Sequence, residues 1–224
     1  MLFPALLGQG CSSRTSFELV EFQAPSRPDP ELVPLLRDVE RIGVLSLTNI
    51  EPVKELDIEK VMGRLADATA RSLGNIPEMK VVSQDEIRWH FNYADFDSLS
   101  VFSEATRANL REELELDAMI YMELKRLQAQ LTPVSPTPYG DLAPSPGLDL
   151  KVSLQVTLIN LHTNDIWRDQ GEQRNWQPVP LQLFGNGQAE RQLLQALYNP
   201  LRQFLMRVAP PPRRQVRQFE ISGD

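Results

Sequence analysis

The stretch LDLKVSLQVTLINLHTNDIWRDQGEQRNW, residues 148–176, decides the fold of this chain. From Leu148 to Leu158 an apolar side chain stands at every second position, with polar residues between. This alternation predicts a strand with one buried face and one solvated face. The polar cluster 162–165 predicts a tight turn, and 166–176 predicts the returning strand. A long antiparallel hairpin is therefore expected at the centre of the sheet.

Strand and helix patterns alternate through the rest of the globular part. Strands are predicted at 41–50, 79–82 and 119–131, and helices at 57–73, after Ser83, at 101–114 and at 188–208. Asp57 and Ser83 have the residue types that cap helix N-termini. Pro200 is expected either to kink the last helix or to start a second one. The predicted fold class is α+β: a mixed β-sheet with a long antiparallel hairpin, covered by helices.

Proline clusters divide the chain into segments. The proline-rich stretch 132–147 predicts a surface loop, because proline lacks the amide hydrogen that a strand ladder uses. The predicted divisions are a signal remnant at 1–10, a tether at 11–40, a body at 41–209 and a C-terminal tail at 210–224. Within the tether, Phe17 to Phe22 could pair as an edge strand or dock on a partner, but local packing or no packing at all is favoured.

Composition excludes several classes of protein. The chain has 30 acidic and 23 basic residues, for a formal net charge of -7, and no basic stripe, so DNA and RNA are not expected as partners. A hydrophobic fraction of 42% is enough for an ordinary core. No stretch approaches the roughly 20 apolar residues of a membrane-spanning helix. A single cysteine excludes an intrachain disulfide and a cysteine-rich zinc site.

The position of that cysteine is informative. An apolar run ending in Gly10 precedes Cys11, which resembles the end of a bacterial lipoprotein signal. Gln9 is larger than usual at its position, and no Lys or Arg precedes the short run, so a start codon further upstream and an incidental cysteine in a disordered N-terminus stay open as alternatives. The prediction is lipid attachment at Cys11, with Ser12 favouring the outer membrane over retention in the inner membrane.

The residue pattern predicts no enzymatic activity, no metal site and no cofactor. His90 and His162 have no second ligand at helical spacing, and the acidic pairs 112–113 and 95–97 are expected to be solvated. There is no phosphate-binding glycine loop and no nucleophile elbow. Trp89, Trp167 and Trp176 are candidate anchors for a partner, with core packing favoured for the first two. Three tail arginines are expected to lie in a frayed segment: Arg213, Arg214 and Arg217.

Four pieces of the chain carry a family resemblance: RIGVLSLTNI (41–50), MKVVSQDEIRWHF (79–91), LREELELDAMIYMEL (110–124) and LQVTLINLHTNDIW (154–167). In this order they resemble the periplasmic domain shared by the curli-secretion lipoproteins, the lipoprotein activator of penicillin-binding proteins and the N-terminal domain of the Tol-system translocation protein. Asn164 and Met122 stand where glycines are common in these families. The proline-rich 132–147 and the short, polar 170–187 replace the two long hairpins of the pore-forming members, so a self-made pore is not expected.

The resemblance implies a non-enzymatic outer-membrane lipoprotein on the periplasmic face. Its expected role is that of an adapter or scaffold in a cell-envelope assembly, either activation of a peptidoglycan synthase or support of secretion and export. The expected partners are envelope proteins and the outer membrane, reached through the lipid on Cys11, with self-association left open. The alternative is a periplasmic module that binds a small ligand or a glycan.

Overall fold

The structure is a computed structural model that describes residues 16–24, 27–53, 56–91, 103–134, 145–174, 179–180, 187–211 and 213–221. The chain divides into two compact units. The larger is Arg27–Pro210, and the smaller combines the residues before and after it.

The larger unit is a mixed sheet with helices on both faces. Its strands are β2 (Arg41–Thr48), β3 (Lys80–Val82), β4 (Ala118–Val134), β5 (Ser145–Asn160), β6 (Ile166–Arg174) and β7 (Val179–Pro180). Its helices are α1 (Val33–Leu36), α2 (Ile58–Leu73), α3 (Gln84–His90), α4 (Glu104–Leu114) and α5 (Gln188–Val208). The strands follow the order β3-β2-β4-β5-β6, with β7 also on β5. The pairs β2/β3 and β2/β4 are parallel and the others antiparallel, which confirms the predicted fold class.

A first core lies between one face of the sheet and the helices α1, α2 and α5. Alternate residues of β5 point into it, as the 148–158 pattern predicts. Met122 of β4 is fully buried there, and its sulfur accepts a hydrogen bond from the Thr69 hydroxyl of α2 at 3.4 Å. The methionine therefore fills the contact between helix and sheet at a position where the resembling families often have glycine.

A second core covers the opposite face, under α3 and α4. It contains Ile87 of α3, Leu110 and Leu114 of α4, and Met119 and Tyr121 of β4. Ile159 at the end of β5 also lies in it. Ser153 and Thr157, on the face of β5 that was predicted to be solvated, are buried as well.

The β4–β5 hairpin is longer than predicted. Thr132 pairs with Gly147, Pro133 with Pro146, and Val134 with Ser145. The prediction of a surface loop over all of 132–147 is therefore wrong at both ends of that segment. A proline removes only its own donor, so two opposed prolines fit an antiparallel ladder at a pair that exchanges no hydrogen bond.

Helix α5 is continuous through Pro200. Pro200 is buried and packs directly on Gly171 of β6. A Cβ added to Gly171 would overlap Pro200 Cβ and lie 3.1 Å from its Cα. The close approach of α5 to the sheet therefore needs a glycine at position 171. The predicted alternative in which Pro200 starts a second helix is wrong.

The body begins earlier than the predicted residue 41. Leu32 and Leu35 are buried in the first core, and the Asn160 amide donates a hydrogen bond to the Leu35 carbonyl at 2.9 Å. The segment predicted as a tether up to residue 40 therefore belongs to the larger unit from Arg27 onwards. Leu36 and Val39 also pack against this core while partly exposed, but the polar, proline-rich composition around these residues did not reveal the docking.

The described part of the smaller unit is a two-stranded antiparallel ribbon. Its strands are β1 (Ser16–Ala24) and β8 (Arg213–Ile221), in register from Ser16↔Ile221 to Ala24↔Arg213. The frayed tail predicted for Arg213, Arg214 and Arg217 is thus a strand. Residues 17–22 pair as a strand with the other end of the chain, so the favoured expectation of local packing or none is wrong.

Candidate interaction surface

Helix α3 is fixed to the edge of the sheet at both of its ends. Ser83 caps it, its hydroxyl oxygen accepting a hydrogen bond from the Glu86 N–H at 3.3 Å, as the sequence predicts. The buried Gln84 accepts a hydrogen bond from the Ser46 N–H of β2 at 2.7 Å through Oε1. Arg88 donates to the Ser46 carbonyl at 3.3 Å. Two α3 side chains thus bind the same β2 residue, while Ile87 is buried in the second core.

This anchoring leaves Trp89 facing solvent. Its side chain is 84% exposed, and the His90 ring stands edge-on to it with 5.2 Å between the ring centroids. The core position favoured for Trp89 is therefore wrong. Successive helical residues are about 100° apart, so a residue two places after the buried Ile87 points away from the core. Helical spacing from Ile87 was the signal that would have placed this tryptophan on the surface.

The surroundings of Trp89 are charged. Asp85 and Glu86 are exposed on the same helix, and Arg41 lies 3.7 Å from the Glu86 carboxylate. A large aromatic side chain within a polar rim, carried on an anchored helix, is the arrangement typical of a protein-binding hot spot. Because the helix is already in place, binding there would require little ordering of the backbone.

Besides the charged residues around Trp89, a second polar cluster, centred on Asp117, lies where β2 and β4 begin. Its contacts stabilise the fold. Asp117 Oδ2 accepts hydrogen bonds from the Arg41 N–H at 2.8 Å and the Glu40 N–H at 3.0 Å. His162 Nε2 lies 2.8 Å from Asp117 Oδ1. Partial burial acts to raise the pKa of Asp117, but these hydrogen bonds outweigh it and hold the pKa below its ordinary value. Asn164 of the adjoining turn has a left-handed backbone (φ 62°), which asparagine tolerates.

The third cluster surrounds Arg207 near the end of α5. Its guanidinium binds Asp29 at 2.9 Å and Glu31 at 2.8 Å, with Asp169 of β6 at 3.7 Å. Its Cζ lies 4.8 Å from the centroid of Trp167, which packs on Phe204. Arg207 therefore joins the segment that leads into β2 (residues 27–40, the entering segment) to the edge strand β6 and to the last helix α5. Trp167 is partly buried against the first core, as predicted.

The remaining predicted site residues are dispersed or undescribed. Glu112 and Glu113 are both exposed on α4, as expected of solvated charges. Cys11, Trp176, Asp95 and Asp97 lie outside the described residues. Among the residues that are described, no three His, Cys, Asp or Glu side chains come together as metal ligands. In the same part of the chain, no helix combines the length and apolar character that a bilayer crossing requires.

No protein-family model matches the chain, and no curated protein matches its sequence. Solved structures do resemble it at low identity. Lipoprotein GNA1162 from Neisseria meningitidis is 14% identical with a TM-score of 0.42, over 73% of this chain and 98% of that one. Protein CT253 from Chlamydia trachomatis is 8% identical with a TM-score of 0.43, over 75% and 95%. The LpoB C-terminal domain from Salmonella enterica is 14% identical with a TM-score of 0.36, over 65% and 94%.

These neighbours include an LpoB domain, one of the three groups that the sequence resembles, and a protein described as a lipoprotein. The curli-secretion and Tol parts of the resemblance stay predictions. Each neighbour is similar in structure at low identity, and none assigns an activity or a partner to this chain.

Proposed function

We propose that the chain is a non-enzymatic lipoprotein of the outer membrane, anchored through Cys11 and facing the periplasm, where its body binds a protein of an envelope assembly. The observation that carries the protein-binding part of the proposal is Trp89, 84% exposed on a helix anchored to β2. Lipid attachment rests on the sequence around Cys11. Burial of an exposed tryptophan by a partner contributes strongly to the free energy of binding, because the side chain is large and mostly apolar. Tryptophan is among the residues that dominate the binding energy at protein interfaces.

The other ionisable clusters support a structural rather than a catalytic use. Asp117 holds backbone N–H groups on one oxygen and His162 on the other. Glu123, which is buried, pairs with Lys125 at 2.7 Å beside the bulge of β4. Each of these carboxylates is engaged in contacts that fix a strand or a turn. Peptidoglycan-synthase activation and secretion or export support are the two roles within this class.

Site-specific photocrosslinking in intact envelopes tests the protein-binding role. A photoreactive residue at position 89 should capture a specific envelope protein. The same residue at Tyr198, a 48% exposed aromatic position on α5, is the matched control and should capture much less. Equal capture from both positions, or none from position 89, would contradict the proposal. Binding of a purified peptidoglycan fragment without any captured protein would favour the ligand-binding alternative.

Metabolic palmitate labelling tests the anchor. The intact chain should incorporate label and fractionate with the outer membrane, and Cys11→Ala should abolish both, because the acyl chains supply the membrane affinity at about 0.8 kcal/mol per buried CH₂. Cys11→Ala should leave photocrosslinking at position 89 intact in a purified mixture, since Trp89 belongs to the folded body. Label incorporation that is unchanged by the substitution would refute the lipoprotein part of the proposal.

A further inference from the structure

The β1–β8 ribbon has two outer edges that, within the described residues, pair with no other strand. Each edge presents backbone donors and acceptors on which another strand can form. A two-stranded ribbon is only marginally stable by itself in water. Leu19 of β1 and Val216 of β8 are also 70% and 64% exposed. Additional strands would therefore stabilise the ribbon, and its unpaired edges have the backbone groups to bind them.

The two strands carry opposite charge. Strand β1 contains Glu18 and Glu21 and no Lys or Arg. Strand β8 contains three arginines against one glutamate, Glu220. Strand β1 is therefore acidic in composition and strand β8 basic. A contact between two β1 edges or two β8 edges would bring like charges together, whereas a β1 edge and a β8 edge complement each other.

We propose that ribbons of neighbouring copies of this chain join edge to edge, with β1 of one copy beside β8 of the next. Because β1 and β8 are antiparallel within one chain, ribbons repeated side by side make a continuous antiparallel sheet. Such a contact is head-to-tail. It uses different surfaces on the two copies, so it builds a ring where the rotation closes and an open array where it does not.

Charge reversal tests the complementarity, using the full chain with Cys11→Ala in the absence of membrane. This chain should form species larger than a dimer by light scattering after size exclusion. Glu18→Lys with Glu21→Lys should weaken association about tenfold or more, because the two strands that meet between copies then both carry net positive charge. Adding Arg214→Glu and Arg217→Glu to the same chain exchanges the two signs and should restore assembly. A monomeric parent chain, or a fourfold variant no better than the twofold one, would overturn the proposal.

Crosslinking tests the head-to-tail geometry. Chains with Leu19→Cys and chains with Val216→Cys, both in the Cys11→Ala background, are treated with a flexible bismaleimide, alone and mixed. The mixture should give crosslinked products at least about tenfold above either chain alone. Strong crosslinking of the Leu19→Cys chain with itself would show symmetric β1 pairing and refute the proposal. These measurements need neither lipid nor an envelope partner, so their failure leaves the adapter role intact.

Discussion

At the scale of the single residue, Asp117 shows how one carboxylate aligns distant parts of the chain. Its hydrogen bonds to the N–H groups of Glu40 and Arg41 span 77 and 76 residues of sequence, and His162 adds the β5–β6 turn. These contacts help to fix the register of β2 against β4 at the start of the two strands. An ionised carboxylate is the acceptor that holds all three groups.

We therefore expect Asp117→Asn to lower the free energy of unfolding by about 1 to 2 kcal/mol at neutral pH, as for the loss of charged hydrogen bonds. The folded-state pKa of Asp117 lies below its unfolded value. Its stabilisation is thus fully present above the unfolded pKa, near 3.9, and is lost as the pH falls through the folded pKa. Urea titrations at a series of pH values should show the two proteins converging in the acid range. A stability difference that does not depend on pH would contradict this account.

Residues that act on near neighbours were predictable from the sequence, and residues that act across the fold were not. Asp57 and Ser83 cap helices through N–H groups three residues away, so residue type and position were enough to predict them. Nothing in the local sequence distinguishes Asp117 from a solvated aspartate, or shows that Gln84 binds Ser46 of β2. The exposure of Trp89 is an intermediate case. It could have been predicted from the helical spacing between Trp89 and the buried Ile87, but it was not.

At the scale of the element, α5 can pack closely on β6 because position 171 is a glycine and has no side chain. We expect Gly171→Ala to destabilise the protein by about 1 to 3 kcal/mol, because the new methyl group overlaps Pro200. Gly63→Ala is the matched control. A Cβ there would meet only Gln84 Nε2, at 3.7 Å, and alanine should stabilise α2 by about 0.5 to 1 kcal/mol. Thermal unfolding should show shifts of opposite sign, and equal shifts would indicate that position 171 has room.

For β2 to β6 and for α2 to α5, the types of the elements followed from the hydrophobic period, but their ends did not. The predicted strand at 119–131 is Ala118–Val134, and its partner begins at Ser145 rather than 148. The prolines predicted that strand pairing stops before residue 132, but the pairing continues to Val134. A proline disrupts a strand only where the ladder would use its amide hydrogen. The pairing of β1 with β8 had no local signal, because the strands lie at opposite ends of the chain.

At the scale of the whole molecule, the start of the body can be measured by truncation. A fragment Arg27–Pro210 retains Leu32 and Leu35 in the first core and keeps Asp29 and Glu31 on Arg207. A fragment 41–210, which starts where sequence patterns place the boundary, lacks all four. Burial of each leucine is worth about 1.5 to 3 kcal/mol, so the shorter fragment should be less stable by about 3 to 6 kcal/mol.

Urea denaturation of the two fragments provides the measurement, with the midpoint and slope fitted together. The longer fragment should unfold cooperatively, near the midpoint of the full chain's body. In a third fragment, Arg27–Pro210 with Arg207→Lys, the lysine keeps the charge but loses the planar fork that binds two carboxylates. If Arg207 holds the entering segment, hydrogen exchange at the Leu32 and Leu36 amides should accelerate in this variant, while exchange in β4 stays unchanged. Equal stability of the 41–210 and 27–210 fragments would mean that the entering segment contributes nothing to the core and that the body begins at β2.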